Sequence, residues 1–213
     1  MNKKVVKSVV VCLSAAIAVV AGVSFIRWQL SFCDVSFELS SEVSSIVIHK
    51  IEDDYTESSE EVARISENKT LRIKAGSYEI IPDGNNIDTS PIMFTADKTV
   101  GVIKIDPFYS GDYLGELLNK EQQFIHQVLL DYSKLISEYE ISSETLYAHG
   151  EWYGAILSLR DYDPREGVDF YRVIMHKEGG TWKVAAEPSI VFSYSEYPDI
   201  PKHVINDVNR KAM

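Results

Sequence analysis

The hydrophobic period changes twice along the chain, and that change limits the folds open to it more than any other feature. From Val35 to about Ile105 apolar residues alternate with polar ones: Val35, Phe37 and Leu39, then Ile46 and Ile48, Leu71 and Ile73, Tyr78 and Ile80, Ile92 to Phe94, and Val100 to Ile105. Period two is the mark of half-buried strands. The breaks fall at Ser40, Ser41, Ser44 and Ser45, at the acidic stretch Glu52–Glu61, at Ala75-Gly76 and at Pro82–Asn86. The simple account of the stretch from Leu71 to Ile80 is a hairpin.

From Asp112 to about Tyr139 the spacing becomes three and four. Leu114, Leu117, Leu118, Ile125, Val128, Leu129, Tyr132, Leu135 and Ile136 share one stripe. This predicts a long amphipathic helix with Asp112 as its N-cap, and Gly115 and Asn119 could split off a first short helix. Alternation then returns at Thr145–Ala148, Glu151–Leu159, Asp169–His176, Thr181–Ala186 and Ile190–Phe192, the pattern of an antiparallel meander. Pro198 and Pro201 introduce a last helix with Val204, Ile205 and Val208 on one face. The expected class is α+β: an N-terminal transmembrane helix, an all-β module, then a long helix packed on an antiparallel sheet.

The transmembrane expectation comes from Val9 to Ile26, 18 residues without a charge, preceded by Lys3, Lys4 and Lys7 and closed by Arg27 and Trp28. At helical rise such a run covers about 27 Å, the thickness of a hydrocarbon core. The lysines orient it with the N-terminus in the cytoplasm and the rest outside, Trp28 at the interface. A cleaved secretory signal is the rival reading, given the small residues Ala21, Gly22 and Ser24. The expected division is a cytoplasmic start at 1–8, an anchor or uncleaved signal at 9–27, an exported β module at 28–107 and an exported α+β module at 108–213. The lipid bilayer is the expected partner of residues 9–27. Cys12 would lie within such a span and Cys33 just past it, too far apart to pair within one chain. Cys33 could cross-link two chains or remain an idle thiol.

Charge excludes one class of partner. The net charge is −11, and residues 35–213 hold 17 basic against 31 acidic residues, so a nucleic-acid binder is not expected.

Three resemblances add to this reading. Leu71-Arg72-Ile73-Lys74-Ala75-Gly76-Ser77-Tyr78-Glu79-Ile80 resembles the core of PEGA-like surface β-modules, although the Pro-Gly-Ala start of that family is missing. Tyr171 to Val184, with Gly179-Gly180 before Trp182-Lys183, resembles the hairpin of cystatin-like and NTF2-like α+β folds. The C-terminal half, including Tyr197-Pro198-Asp199-Ile200-Pro201, is similar to uncharacterised single-pass exported proteins of small-genome bacteria. That last resemblance implies a location at the plasma membrane and no activity.

Candidate chemistry is sparse. His49, His126, His149, His176 and His203 fall one to an element without metal-ligand spacing, so no metal site is assigned. His149-Gly150-Glu151-Trp152-Tyr153 gathers an imidazole, a carboxylate and two aromatics about one turn, which makes His149, Glu151, Trp152 and Tyr153 the pocket candidates. The loops Asp161–Asp169 and Glu52–Asp54 offer oxygen ligands for Ca²⁺ but fail the pattern of a calcium loop. Ser66-Glu67-Asn68-Lys69 spells the S-x-x-K of acyl transfer without its partner motifs, and Asn68-Lys69-Thr70 is a glycosylation sequon only in a eukaryotic route. No catalytic residue and no cofactor are assigned. The expected function is a membrane-anchored extracytoplasmic, non-catalytic binding or interaction module of the cell envelope, with an envelope protein or a glycan as partner. Two alternatives remain: an NTF2-like ligand-binding or enzymatic pocket between the long helix and the sheet, and a cleaved, secreted effector.

Overall fold

A computed structural model describes residues 20–51, 60–132, 138–160 and 170–211. The apolar residues 9–19, the acidic loop Glu52–Asp54, the helix positions Leu135 and Ile136 and the oxygen-rich loop 161–169 lie outside the described residues. The chain divides into two compact units, one of residues 1–85 and 89–106, the other of residues 86–88 and 107–213.

The first unit opens with helical residues 20–30 (α1). Seven strands follow: β1 Phe32–Leu39, β2 Val43–Lys50, β3 Glu60–Ile65, β4 Lys69–Lys74, β5 Gly76–Gly84, β6 Ile92–Ala96 and β7 Val102–Ile105. They form two sheets, ordered β4-β1-β7 and β3-β2-β5-β6. In the first sheet β1 runs antiparallel to β4 and parallel to β7. Alternation places Val35 and Phe37 of β1, and Ile46, Ile48, Tyr78 and Ile80 of the other sheet, out of solvent. Phe37 meets Phe94 of β6 edge-on at 5.9 Å, and Tyr78 stacks on Phe94 at 5.3 Å, so the sheets share an aromatic core.

Two strand assignments differ from the sequence pattern. Leu71–Lys74 and Tyr78–Ile80 are not hairpin partners: β4 pairs with β1, whereas β5 pairs with β2 and β6. Gly76, at φ 155°, passes the chain from one sheet to the other in a conformation that residues with a Cβ rarely adopt. Pro82 does not end β5 but stands opposite Ile46 of β2. Since β6 pairs only with Gly76–Ile80, β5 has lost its second neighbour there and the missing N–H is tolerated.

Cys33 lies in β1, 7% exposed, with its Sγ 3.6 Å from the carbonyl of Ile73. Burial, with the carboxylates of Asp97 and Asp34, pushes the thiol above its ordinary range. A link between chains through Cys33 therefore has no accessible sulfur. In a Cys12→Ser chain, a thiol reagent at pH 8 is expected to modify Cys33 only at the rate of unfolding, and fast modification of the folded protein would contradict this placement.

The second unit is a three-layer arrangement. Helix α2, Gly111–Tyr132, is followed by β8 Tyr139–Tyr147, β9 Trp152–Leu159, β10 Phe170–Glu178, β11 Thr181–Ser189 and helix α3, Lys202–Arg210. The strands form one antiparallel sheet in the order β11-β10-β9-β8. Helix α2 packs Ile125 and Leu129 on Leu146, Tyr153, Ala155, Val173, Met175 and Trp182. Helix α3 packs Val204, Ile205 and Val208 on the opposite face, with Tyr147, Ile174 and Ala186. Val173 and Ile174 thus bury in different layers, and the central strand residues read as a continuous apolar run for that reason.

Helix α2 is capped two residues before the expected Asp112. Ser110 Oγ accepts the backbone N–H of Tyr113 at 3.4 Å, and Gly115 and Asn119 lie within one unbroken helix. Tyr139, expected near the end of the helical stripe, begins β8. Ile190–Phe192 is not a strand: Asn209 of α3 accepts from the Phe192 N–H at 3.0 Å and donates to its carbonyl at 2.9 Å, so the helix takes both backbone groups.

The expected class needs correction. Among the described residues strands make up 49% and helices 24%, in three sheets with three helices, which is a mostly β chain and not an α+β fold led by a transmembrane helix. Among the described residues no helix is long and apolar enough to cross a membrane. Helix α2 has the length, about 33 Å, but carries Asp112, Glu116 and Lys120 on its exposed face and Glu121 toward the sheet. The described part of the first helix is eleven residues and includes Arg27 and Gln29. The single-pass membrane anchor expected of residues 9–27 is thus not found among the described residues.

Candidate functional site

The four residues of the turn after β8 do not converge. His149 Nε2 lies 3.2 Å from the carbonyl of Pro107, and its ring meets Phe108 and Tyr109 edge-on at 5.7 and 5.3 Å. The Glu151 side chain is exposed, while its backbone carbonyl accepts the N–H of Lys177 at 2.8 Å. Trp152 and Tyr153 are successive strand residues and point to opposite faces. Trp152 stacks on His176 at 4.2 Å beside the α3 cluster, whereas Tyr153 is fully buried under α2.

Tyr153 leads instead to a carboxylate absent from the sequence-based candidates. Its hydroxyl donates to Glu144 Oε2 at 2.8 Å, His126 Nε2 lies 2.9 Å from the same oxygen, and Gln122 donates to Oε1 at 2.5 Å. Gln122 and His126 stand four residues apart on α2, so the helix presents both to β8. Nothing in the sequence around Glu144 marks it, because its partners come from another element. Burial pushes the Glu144 carboxyl up, but the bonds from His126, Gln122 and Tyr153 together outweigh it and hold the group below its ordinary value of 4.5. A depressed folded-state value means that the stabilisation is complete above about pH 4.5 and drains away as the pH falls below it. Acid unfolding followed by circular dichroism should therefore be less steep below that pH in Glu144→Gln than in the wild type. Identical acid profiles would refute the assignment.

Two concavities flank α2. The smaller, about 280 Å³, is lined by His126, Leu129, Tyr139, Ile141 and Arg160 among others. The larger, about 510 Å³, lies between α2 and the β10–β11 hairpin. Glu121, Phe124 and Val128 recur along one side of α2 at helical spacing, and Lys177 and Trp182 are cross-strand partners opposite them. Trp182 Nε1 donates to Glu121 Oε2 at 2.6 Å, Lys177 Nζ pairs with Glu121 Oε1, and the ammonium sits 5.6 Å above the Trp182 ring. These bonds tie helix to hairpin and fix the carboxylate in place. Phe124 on the rim is 70% exposed, a large apolar ring facing water.

The space directly between α2 and the sheet is occupied by the side chains of the α2 cluster, and the two concavities lie at the helix flanks. No group of three or more His, Cys, Asp or Glu side chains able to hold a metal ion occurs among the described residues. Compared with known proteins, the chain matches no family model, no curated protein and no solved structure.

Proposed function

We propose that this chain is an exported, non-catalytic binding module whose contact face is the groove between α2 and the β10–β11 hairpin. The observation that supports the reading is the groove itself: its volume of about 510 Å³, its apolar walls from Phe124 and Val128, and a rim aromatic exposed to water. Binding sites combine such walls with a few fixed polar groups, here the Glu121, Lys177 and Trp182 triad. Export follows from the basic start and the apolar run of residues 9–26 in the sequence.

The test is a fragment screen by NMR on the chain labelled at Phe, Val and Trp. Shifts that gather at Phe124, Val128 and Trp182 are the expected result. Fragments that collect elsewhere, or none that bind, would overturn the groove as the contact face.

A further inference from the structure

We infer that the groove receives a basic peptide segment of a partner protein, one that lays an apolar side chain against Phe124 and Val128 with lysine or arginine next to it. The inference rests on the binding reading above and adds the partner's charge.

Charge balance supplies the first argument. Residues 107–213 hold 10 basic and 17 acidic residues, a net charge of −7. Lys177 is the one cation lining the groove among the described residues, and Glu121 engages it. An acidic segment would have to displace Glu121 from Lys177 and would approach against the field of the whole unit. A basic segment approaches with that field. Glu121 accepts one N–H at each oxygen, from Lys177 and Trp182, which leaves a further lone pair on each for an incoming donor.

Phe124 supplies the second. A ring 70% exposed on a helix flank extends the apolar wall past the concavity into solvent, where a ligand confined to the hollow would not cover it. Exposed aromatic anchors of this kind serve protein interfaces, and the ring face also attracts an ammonium or guanidinium.

The experiment titrates the full chain, followed by NMR, with two pentapeptides blocked at both ends. Each has a central phenylalanine between leucines; one ends in lysines, the other in glutamates. At about 20 mM salt the lysine peptide is expected to bind about tenfold more tightly, with shifts at Phe124 and Trp182, and the margin should shrink toward equality near 0.5 M salt. Phe124→Ala, at an exposed position, should weaken the lysine peptide about tenfold. Glu121→Gln should abolish or reverse the preference, because Lys177 then stands without its carboxylate. If the glutamate peptide binds the groove as tightly or more tightly, the inference about charge fails and the binding module survives. If neither peptide moves the groove resonances, both readings fail.

Discussion

Replacing Arg172 by methionine is expected to destabilise the second unit by about 4 kcal/mol in urea unfolding. Arg172 is the one buried charged residue of the described core, 8% exposed in β10. Its Nε donates to the carbonyl of Val208 at 2.8 Å, Nη2 donates to those of Asn209 and Lys211 at 3.1 Å each, and Nη1 donates to that of Ile190. The end of a helix leaves its last carbonyls without partners and at the negative end of the helix dipole. One guanidinium satisfies three of them and also holds the chain that leads into α3. Burial lowers the Arg172 pKa, yet the group stays charged at any ordinary pH, and Phe170 covers it with its ring at 4.6 Å. Methionine matches the stem and leaves four carbonyls to compete for water. Arg172→Lys retains the charge but not the planar fork, and should recover less than half of the loss. Hydrogen exchange should show α3 opening first in both variants. A loss under about 1 kcal/mol for Arg172→Met would mean that α3 docks by its apolar face alone.

Gly154→Ala is expected to cost about 3 kcal/mol, a large effect for a single added methyl. Gly154 lies in β9 where α3 crosses it: an added Cβ would stand 2.4 Å from Val208 Cγ2 and 3.0 Å from Tyr147 Cε2. Val208 is fully buried and Tyr147 nearly so, which leaves neither side chain an exit to solvent. The helix must move off the sheet or the strand must bend, and both open the same cluster. A double-mutant cycle checks the cause. Val208→Ala alone removes packing and destabilises, but in the Gly154→Ala background it should restore more than half of the loss. Additive losses would show that the close approach is not the source.

Much of the local structure was written in the period of the side chains. The stripe through Leu114, Leu118, Ile125 and Leu129 makes α2, Val204, Ile205 and Val208 make the buried face of α3, and Gly179-Gly180 turns β10 into β11. Glu60 and Glu61, expected within the acidic break, open the edge strand β3, where only Ile65 is buried and charge guards against further pairing. The candidate site was far less legible. His149, Glu151, Trp152 and Tyr153 drew attention because they are neighbours in sequence, yet strand alternation separates the last two by the thickness of the sheet.

The sequence by itself determined the acidic charge of the chain, most of its helices and strands and several of its turns, since period and turn chemistry depend on residues within a few positions of one another. Only the tertiary structure decided that β4 and β5 belong to different sheets and that α3 covers the face opposite α2. It also placed Glu121 against Trp182 across 61 residues, His126 against Glu144 across 18, and Arg172 under Asn209 across 37. The physical reason is range. Backbone period and turn chemistry are short-range preferences, whereas a buried carboxylate or guanidinium finds its partners only after layers distant in the chain have packed around it.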